Sequence, residues 1–146
     1  MPRAVLDPNV LISALITPRG VSAQLLISLR AGAFELVVSP HLIEELDGVL
    51  RREKFRRYVT PEDLDAYVGL LRGLAISLDD PTPAEAHLSE DPSDEYLVAL
   101  ARTARVDALV SGDPHLLKLR AVIPVRTPRE FLDSITHRLR SDDPVT

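Results

Sequence analysis

Hydrophobic positions along this chain follow two alternating periods. Short apolar runs rich in β-branched residues predict strands at residues 3–7, 34–38, 108–111 and 122–125. Stretches with apolar residues every three or four positions lie between them and predict helices at 22–31, 40–52, 61–76, 92–104, 114–119 and 128–139. Alternation of this kind is typical of a parallel sheet covered by helices. The pattern therefore predicts an α/β protein.

Proline marks many of the predicted helix starts. A capping residue followed by proline occurs in SPHL, TPED, DPSD, DPHL and TPRE. Because proline lacks only an N–H that the first helical turn leaves unpaired, such pairs favour a helix start. The polar segment 77–94 contains proline and shows no period, and we interpret it as a long loop within one domain. We expect a single domain over residues 1–140, with 141–146 as a frayed tail.

Composition narrows the class of protein. The chain has 146 residues, of which 45% are hydrophobic and 27% charged, which is ordinary for one globular domain with its own core. It has no cysteine, which excludes a disulfide framework and a thiolate metal site. No apolar stretch approaches the roughly 20 residues that span a bilayer, and no charged leader precedes the first strand. We therefore expect a cytoplasmic protein without a membrane segment.

The charge balance limits the partners. A formal net charge of −5 argues against a generic polyanion binder, because such affinity comes mostly from Lys and Arg that neutralise phosphates. A role in nucleic-acid binding would need local positive charge or bound cations. The densest basic segment, RREKFRRY, supplies five residues that could contact nucleic-acid phosphates: Arg51, Arg52, Lys54, Arg56 and Arg57. The alternative is a solvated helix end whose arginines compensate the helix dipole.

Acidic residues fall where a parallel sheet collects its ligands, at the carboxyl ends of the strands. Asp7 ends the first predicted strand and Asp113 follows ALVSG. At 100° per residue, Glu45 lies at the flank of the apolar face of its helix, whereas Glu44 points nearly opposite. Asp94 shares a stripe with the apolar residues of its own helix. The acids that lean inward are therefore Asp7, Glu45, Asp94 and Asp113.

Each of these acids also has an ordinary structural role. Asp113 before proline is a good helix cap, and Asp94 can form a capping pair with Asp91. Asp7 fits a turn at a strand end, and Glu45 fits a solvated helix position. Four independent caps or surface acids are not expected to favour one rim of the sheet, however, and four carboxylates placed close together would repel one another. A hard divalent cation such as Mg²⁺ or Mn²⁺ removes that penalty.

With these residues the sequence resembles the PIN-domain family, specifically the VapC-like toxins of bacterial toxin–antitoxin systems. The similarity runs over nearly the whole chain, through VLDPNVLISAL, LVVSPHLIEELDGVL, EDPSDEYLVALA, ALVSGDPHLL and VRTPREFL. It implies a three-layer α/β/α sandwich with a central parallel sheet. It also implies that the family's acidic metal-binding and catalytic positions are Asp7, Glu45, Asp94 and Asp113.

Further residues follow from the same resemblance. Asn9 and Ser111 match the small polar residues that accompany the first and last acids. Asp91 is often acidic in this subgroup, and it either supports Asp94 or caps the helix. Pro8 departs from the family pattern, which often has Thr there, so a hydroxyl and a backbone donor beside Asp7 are lost.

The resemblance implies a metal-dependent endoribonuclease. Bound Mg²⁺ or Mn²⁺ would orient and acidify a water molecule for in-line attack on the scissile phosphorus, leaving a 5′ phosphate and a 3′ hydroxyl. It further implies a homodimer that is silenced by a cognate antitoxin whose tail occupies the acidic groove. The negative net charge is compatible with RNA because the metal supplies a local positive field.

Three alternatives stay open at the level of sequence. His41 and His115 follow proline in matching contexts and would allow a metal-independent ribonuclease with paired imidazoles. VLDPNV superficially resembles the nucleophile loop of haloacid-dehalogenase-type phosphatases, but that chemistry uses a second Asp where this chain has Asn9. The third alternative is a PIN-fold scaffold or RNA-binding module without catalysis.

Overall fold

The computed structural model describes residues 1–82 and 92–142. In this part of the chain, five strands form one sheet and seven α-helices surround it. The strands are β1 (Arg3–Leu6), β2 (Glu35–Val38), β3 (Ile76–Ser77), β4 (Ala108–Val110) and β5 (Val125–Arg126). The helices are α1 (Pro8–Ile16), α2 (Val21–Arg30), α3 (Pro40–Leu50), α4 (Pro61–Leu74), α5 (Glu95–Thr103), α6 (Pro114–Leu117) and α7 (Pro128–Asp142). Short 3₁₀ turns occur at Glu53–Phe55 and Pro92–Asp94.

The sheet is parallel throughout, in the order β3-β2-β1-β4-β5. Its centre is the most deeply buried part of the molecule, since Leu6, Leu36 and Leu109 on β1, β2 and β4 are at most 1% exposed. Buried strands of this kind carry continuous apolar runs because helices cover both faces. The predicted three-layer α/β/α sandwich with a central parallel sheet is confirmed.

Cap and proline pairs begin five of the described helices, α1, α3, α4, α6 and α7, and all of these except α4 start at or shortly after a strand end. The Ser39 hydroxyl accepts the Leu42 N–H at the start of α3, and Thr60 forms a capping box with Asp63 at the start of α4. Asp7 and Asp113 cap α1 and α6 with their carboxylates. Each cap satisfies an N–H group that the first turn leaves unpaired.

The structure corrects several predicted elements. Helix α1 was not predicted, because nearly every residue after Pro8 is apolar and shows little helical periodicity, although Asp7-Pro8 is the same start signal that marks α3, α4 and α6. Strand β3 was also missed. It joins the last residue of the helix predicted at 61–76 to the first residue of the predicted loop. That helix ends at Leu74, and β3 pairs with β2.

The remaining boundary errors lie near prolines and at the chain end. The strand predicted at 122–125 is β5 at Val125–Arg126, because Val122 belongs to a turn and is exposed. The helix predicted at 92–104 divides into a 3₁₀ turn and α5. Helix α7 extends to Asp142, into the first residues of the segment expected to fray, while 143–146 and part of the predicted long loop, 83–91, lie outside the described residues.

No single helix in the described ranges is long and apolar enough to cross a membrane. Helices α1 and α2 reach that length and composition only together, and they are bent by 96° at their junction. Their apolar residues Leu11, Leu25 and Leu29 are buried in the core.

Candidate active site

Two acids come to the carboxyl edge of the sheet as helix caps. Asp7 follows β1 directly, and its backbone N–H still donates to the Val110 carbonyl of β4 at 2.9 Å. Its Oδ1 accepts the backbone N–H of Asn9 at 2.9 Å, which begins α1. Asp113 follows β4 across a short turn, and its Oδ1 accepts the N–H of His115 at 2.9 Å. Because β1 and β4 are paired neighbours, these caps place both carboxylates at the same edge.

Ser111 links the two acids. Its hydroxyl donates to Asp7 Oδ2 at 2.7 Å, and its oxygen accepts the Asp113 backbone N–H at 3.0 Å. The side chain is fully buried, so these contacts are protected from solvent. The position that the resemblance picked out therefore holds the first and last acids in a fixed relation. Asn9 acts differently from a side-chain ligand, because it contacts Asp7 through its backbone and is itself exposed.

Asp7 is a carboxylate in an unfavourable environment. It is only 4% exposed. Burial raises the pKa of its carboxyl, and the hydrogen bonds from Asn9 and Ser111 oppose that rise. The negative charges of Asp113 and Glu45 raise the pKa further. This edge of the sheet therefore holds several carboxylates close together, and a bound cation would offset the repulsion between them.

Glu45 and Asp94 approach the same edge from two helices. Glu45 lies half-buried on α3, and the hydroxyl of Tyr96 in the first turn of α5 donates to its Oε2. Burial raises the pKa of Tyr96, and the contact with Glu45 and the charges of Asp7 and Asp94 raise it further. Asp94 is buried at the N-terminal end of α5, but its side chain makes no cap hydrogen bond among the described residues. The predicted capping pair of Asp94 with Asp91 stays a prediction, because Asp91 lies outside the described residues.

The donor set fits a hard divalent cation in its chemistry. Mg²⁺ and Mn²⁺ prefer carboxylate oxygens, and the edge offers four carboxylates whose mutual repulsion such an ion would offset. In the side-chain positions of the described residues, no three His, Asp or Glu groups converge closely enough to share one ion. Tyr96 also engages Glu45 in this arrangement. Closing the four acids around a cation therefore requires side-chain movement.

The other predicted site residues are Asp91 and the basic residues, and some of the basic residues already contact other side chains. Asp91 lies outside the described residues. Arg51 forms ion pairs with Asp47 at 2.8 Å and Asp65 at 2.7 Å, and these contacts raise the pKa of its guanidinium. The Lys54 ammonium lies over the Phe55 ring.

The rest of the basic segment is open to solvent. The Arg57 guanidinium lies over the ring of Tyr58, whereas Arg52 and Arg56 are exposed. The segment begins about 9 Å along the axis of α3 from Glu45, at 1.5 Å per residue. The basic segment therefore starts within two turns of the helix that carries Glu45.

The two histidines that suggested a metal-independent mechanism lie at exposed helix starts. The ring of His41 is stacked on Tyr96, with centroids 3.8 Å apart. Tyr96 is the residue that sequence reasoning missed. In the sequence, Tyr96 lies two residues after the candidate acid Asp94, and that position is the signal that could have identified it. A tyrosine hydroxyl that becomes half-buried needs a hydrogen-bond partner.

Comparisons with known proteins concern the family and the fold of the chain. The family model described as PIN domain matches residues 3–115. The chain is 24% identical over 141 residues to MJ1680, an uncharacterized protein of Methanocaldococcus jannaschii, with 90% of each chain covered. The fold of the present chain is similar to that of a chain in the crystal structure of VapBC2 from Rickettsia felis bound to a DNA fragment from their promoter. That similarity has a TM-score of 0.57 at 16% identity and covers 86% of this chain and 98% of the other, so it concerns the fold alone.

Proposed function

This chain belongs to the PIN domain family, and from that premise we propose that it is a metal-dependent endoribonuclease and the toxin of a toxin–antitoxin pair. PIN domains are generally nucleases. The observation that carries the proposal is the buried Asp7 carboxylate, which Ser111 links to Asp113 and which also feels the charge of Glu45. Folding has concentrated negative charge at one edge of the sheet, at a cost in desolvation that a structural role alone does not require.

The four acids share one task in this proposal. Asp7, Glu45, Asp94 and Asp113 would hold Mg²⁺ or Mn²⁺. When bound, the cation supplies Lewis-acid stabilisation of the phosphate and lowers the pKa of water. Ser111 keeps the carboxylates of Asp7 and Asp113 oriented, and Tyr96 orients Glu45.

The reaction is hydrolysis of a phosphodiester. The water oxygen forms the new bond to phosphorus, the bond from phosphorus to the 3′ oxygen breaks, and the 3′ oxygen takes a proton. The products are a 5′ phosphate and a 3′ hydroxyl. The exposed arginines Arg52 and Arg56 would contact flanking phosphates, and the ion pairs of Arg51 make it the weakest of the five proposed RNA contacts.

The proposal is tested by incubating the purified protein with mixed RNAs in EDTA, in Mg²⁺ and in Mn²⁺. We expect cleavage only with metal, and at least a hundredfold loss of rate in Asp7→Asn. Asp133→Asn is the matched control, because Asp133 is exposed on α7, which carries none of the four acids. Equal activity of Asp7→Asn and the native protein would overturn the proposal. Binding of RNA without cleavage in any metal would favour the non-catalytic scaffold instead.

The partners follow from the same proposal. The fold similarity to a chain of the VapBC2 structure supports a cognate antitoxin, and a homodimer is expected by resemblance to VapC-like toxins. RNA as the substrate would place the protein in the cytoplasm. A small ribbon-helix-helix or AbrB-like reading frame immediately upstream should encode the antitoxin, and its product should suppress RNA cleavage when added to the purified protein. Light scattering after size exclusion measures the dimer.

A further inference from the structure

Two stacked aromatic rings lie beside the acidic edge. The centroids of His41 and Tyr96 are 3.8 Å apart, and their planes differ by 10°. The Tyr96 hydroxyl also donates to Glu45, which lies four residues after His41 and therefore on the same face of α3. One tyrosine thus contacts both a candidate metal ligand and the histidine ring.

Both rings are held in place by the protein itself. The backbone N–H of His41 donates to Asp80 Oδ2 at 2.9 Å, and Pro40 fixes the preceding backbone. Tyr96 is half-buried in the first turn of α5, with its hydroxyl on Glu45. A ligand that used this stack would therefore meet two rings that are already in contact, on restrained backbone, which lowers the entropy lost on binding.

His41 combines a stacked ring with solvent exposure. Tyr96 covers one face of the His41 ring, and His41 as a whole is exposed, so we take the opposite face as the one available to a ligand. Proteins bind unpaired bases by stacking them on planar side chains of this kind, and the contact tolerates different bases because each has a π-face. The acidic edge lies immediately beyond Tyr96.

We propose that the face of the His41 ring opposite Tyr96 is a stacking site for one unpaired base of single-stranded RNA next to the scissile phosphate. This subsite rests on the proposed ribonuclease function and adds to it a defined position on the RNA strand. It also assigns a role to His41 that involves no proton transfer. Binding there depends on a base and not on a phosphate, so it differs from the contacts of the basic segment.

The test measures binding without catalysis. Fluorescence anisotropy in EDTA follows a 5′-fluorescein-labelled single-stranded RNA of 12 nucleotides, and a gel checks that the RNA stays intact. We expect His41→Ala to weaken binding about tenfold, as loss of one base stack does, and His41→Phe to bind within about twofold of the native protein. The salt dependence of binding should stay the same in all three proteins, because no phosphate contact is lost. His137→Ala, an exposed histidine on α7, is the matched control.

A second measurement identifies the base. The same RNA is prepared with a single abasic site at each position in turn. At one position the abasic substitution should weaken binding to the native protein. The same substitution should leave the affinity of His41→Ala unchanged, because the two changes remove the same contact. Additive losses at every position, or an unchanged affinity of His41→Ala, would overturn the stacking site.

The outcomes separate this subsite from the ribonuclease proposal. If the native protein cleaves RNA with Mn²⁺ while His41→Ala keeps full affinity, the subsite is wrong and the nuclease stands. If His41→Ala shows the expected loss while the native protein cleaves nothing in any metal, the base-stacking contact stands, and both the nuclease and the placement next to a scissile phosphate are wrong. Thermal unfolding of His41→Ala should stay within about 2 °C of the native protein, since an exposed residue is changed.

Discussion

Asp7→Asn replaces a buried carboxylate with an amide of nearly the same shape, and we expect it to stabilise the protein while abolishing RNA cleavage. The hydrogen bonds of Asp7 survive the change. The amide oxygen still accepts the Asn9 N–H, and the Ser111 hydroxyl can rotate to accept from the amide nitrogen. The change removes a buried negative charge and its repulsion by Asp113 and Glu45.

The expected gain is on the order of 1 kcal/mol. Removing a carboxylate from water costs several kcal/mol, and two hydrogen bonds to a charged acceptor return about 1.5–3 kcal/mol each. Burial raises the pKa of Asp7 in spite of those bonds, so the balance still disfavours the charge. For a chain of this length, 1 kcal/mol raises the melting temperature by about 3 °C.

The gain should depend on pH with a definite sign. Because the folded protein holds the Asp7 proton more tightly than the unfolded chain does, the native protein loses stability as pH rises above about 4, the ordinary Asp pKa. Asp7→Asn does not titrate. The difference in unfolding free energy between the two proteins should therefore be small below about pH 4, grow as pH rises, and level off above the raised pKa.

Thermal unfolding followed by circular dichroism measures these quantities in EDTA and in Mn²⁺. At a hundredfold excess of Mn²⁺ over its dissociation constant, the native protein should gain about 2.7 kcal/mol, or about 8 °C, and Asp7→Asn should gain almost nothing. Asp133→Asn should follow the native protein throughout. An Asp7→Asn protein that melts lower than the native one in EDTA at neutral pH would refute the electrostatic reasoning. An equal Mn²⁺ shift in both would refute the metal site.

Three further predictions concern the serine that joins two of the acids, a helix cap on α7 and the basic segment. Ser111→Ala should lower the unfolding free energy by about 1–2 kcal/mol and weaken the Mn²⁺-induced thermal shift, because both Asp7 and the backbone of Asp113 lose a buried partner; an unchanged shift would contradict the orienting role. Thr127→Ala removes the hydroxyl that accepts the Glu130 N–H at the start of α7 and should cost about 1 kcal/mol in a urea titration, with no effect on Mn²⁺ binding. Arg56→Ala should reduce the slope of log RNA affinity against log salt concentration by about one counterion. Arg51→Ala should change that slope less, because Arg51 is already ion-paired, and a larger change for Arg51→Ala than for Arg56→Ala would contradict the proposed RNA contacts.

The hydrophobic pattern predicted four strands and six helices because these elements carry strong local signals. Apolar strands and cap and proline pairs such as Ser39-Pro40 depend on nearby residues alone. The missed elements lack such signals. In α1 nearly every residue is apolar, so the helical period is weak, and the two residues of β3 are a strand only because they pair with β2.

The sequence could nominate the residues of the candidate site but not their contacts. Strand ends and helix phase were enough to nominate Asp7, Glu45, Asp94 and Asp113. In the structure, burial together with the charges of Asp113 and Glu45 raises the pKa of Asp7, and burial together with the charges of Glu45, Asp7 and Asp94 raises the pKa of Tyr96. The partner of each acid depends on how distant segments meet. The contact between Tyr96 and Glu45 joins residues 51 positions apart, and no local pattern encodes it.

Asp7 and Asp113 each begin a helix with the same carboxylate that we assign to catalysis. Asparagine is an equally good residue for beginning a helix. A single nucleotide change that turns either aspartate codon into one for asparagine would therefore silence the chemistry and leave the chain able to fold. Descendants of this gene that have lost their activity should consequently persist as intact, expressed proteins, free to be recruited for binding alone.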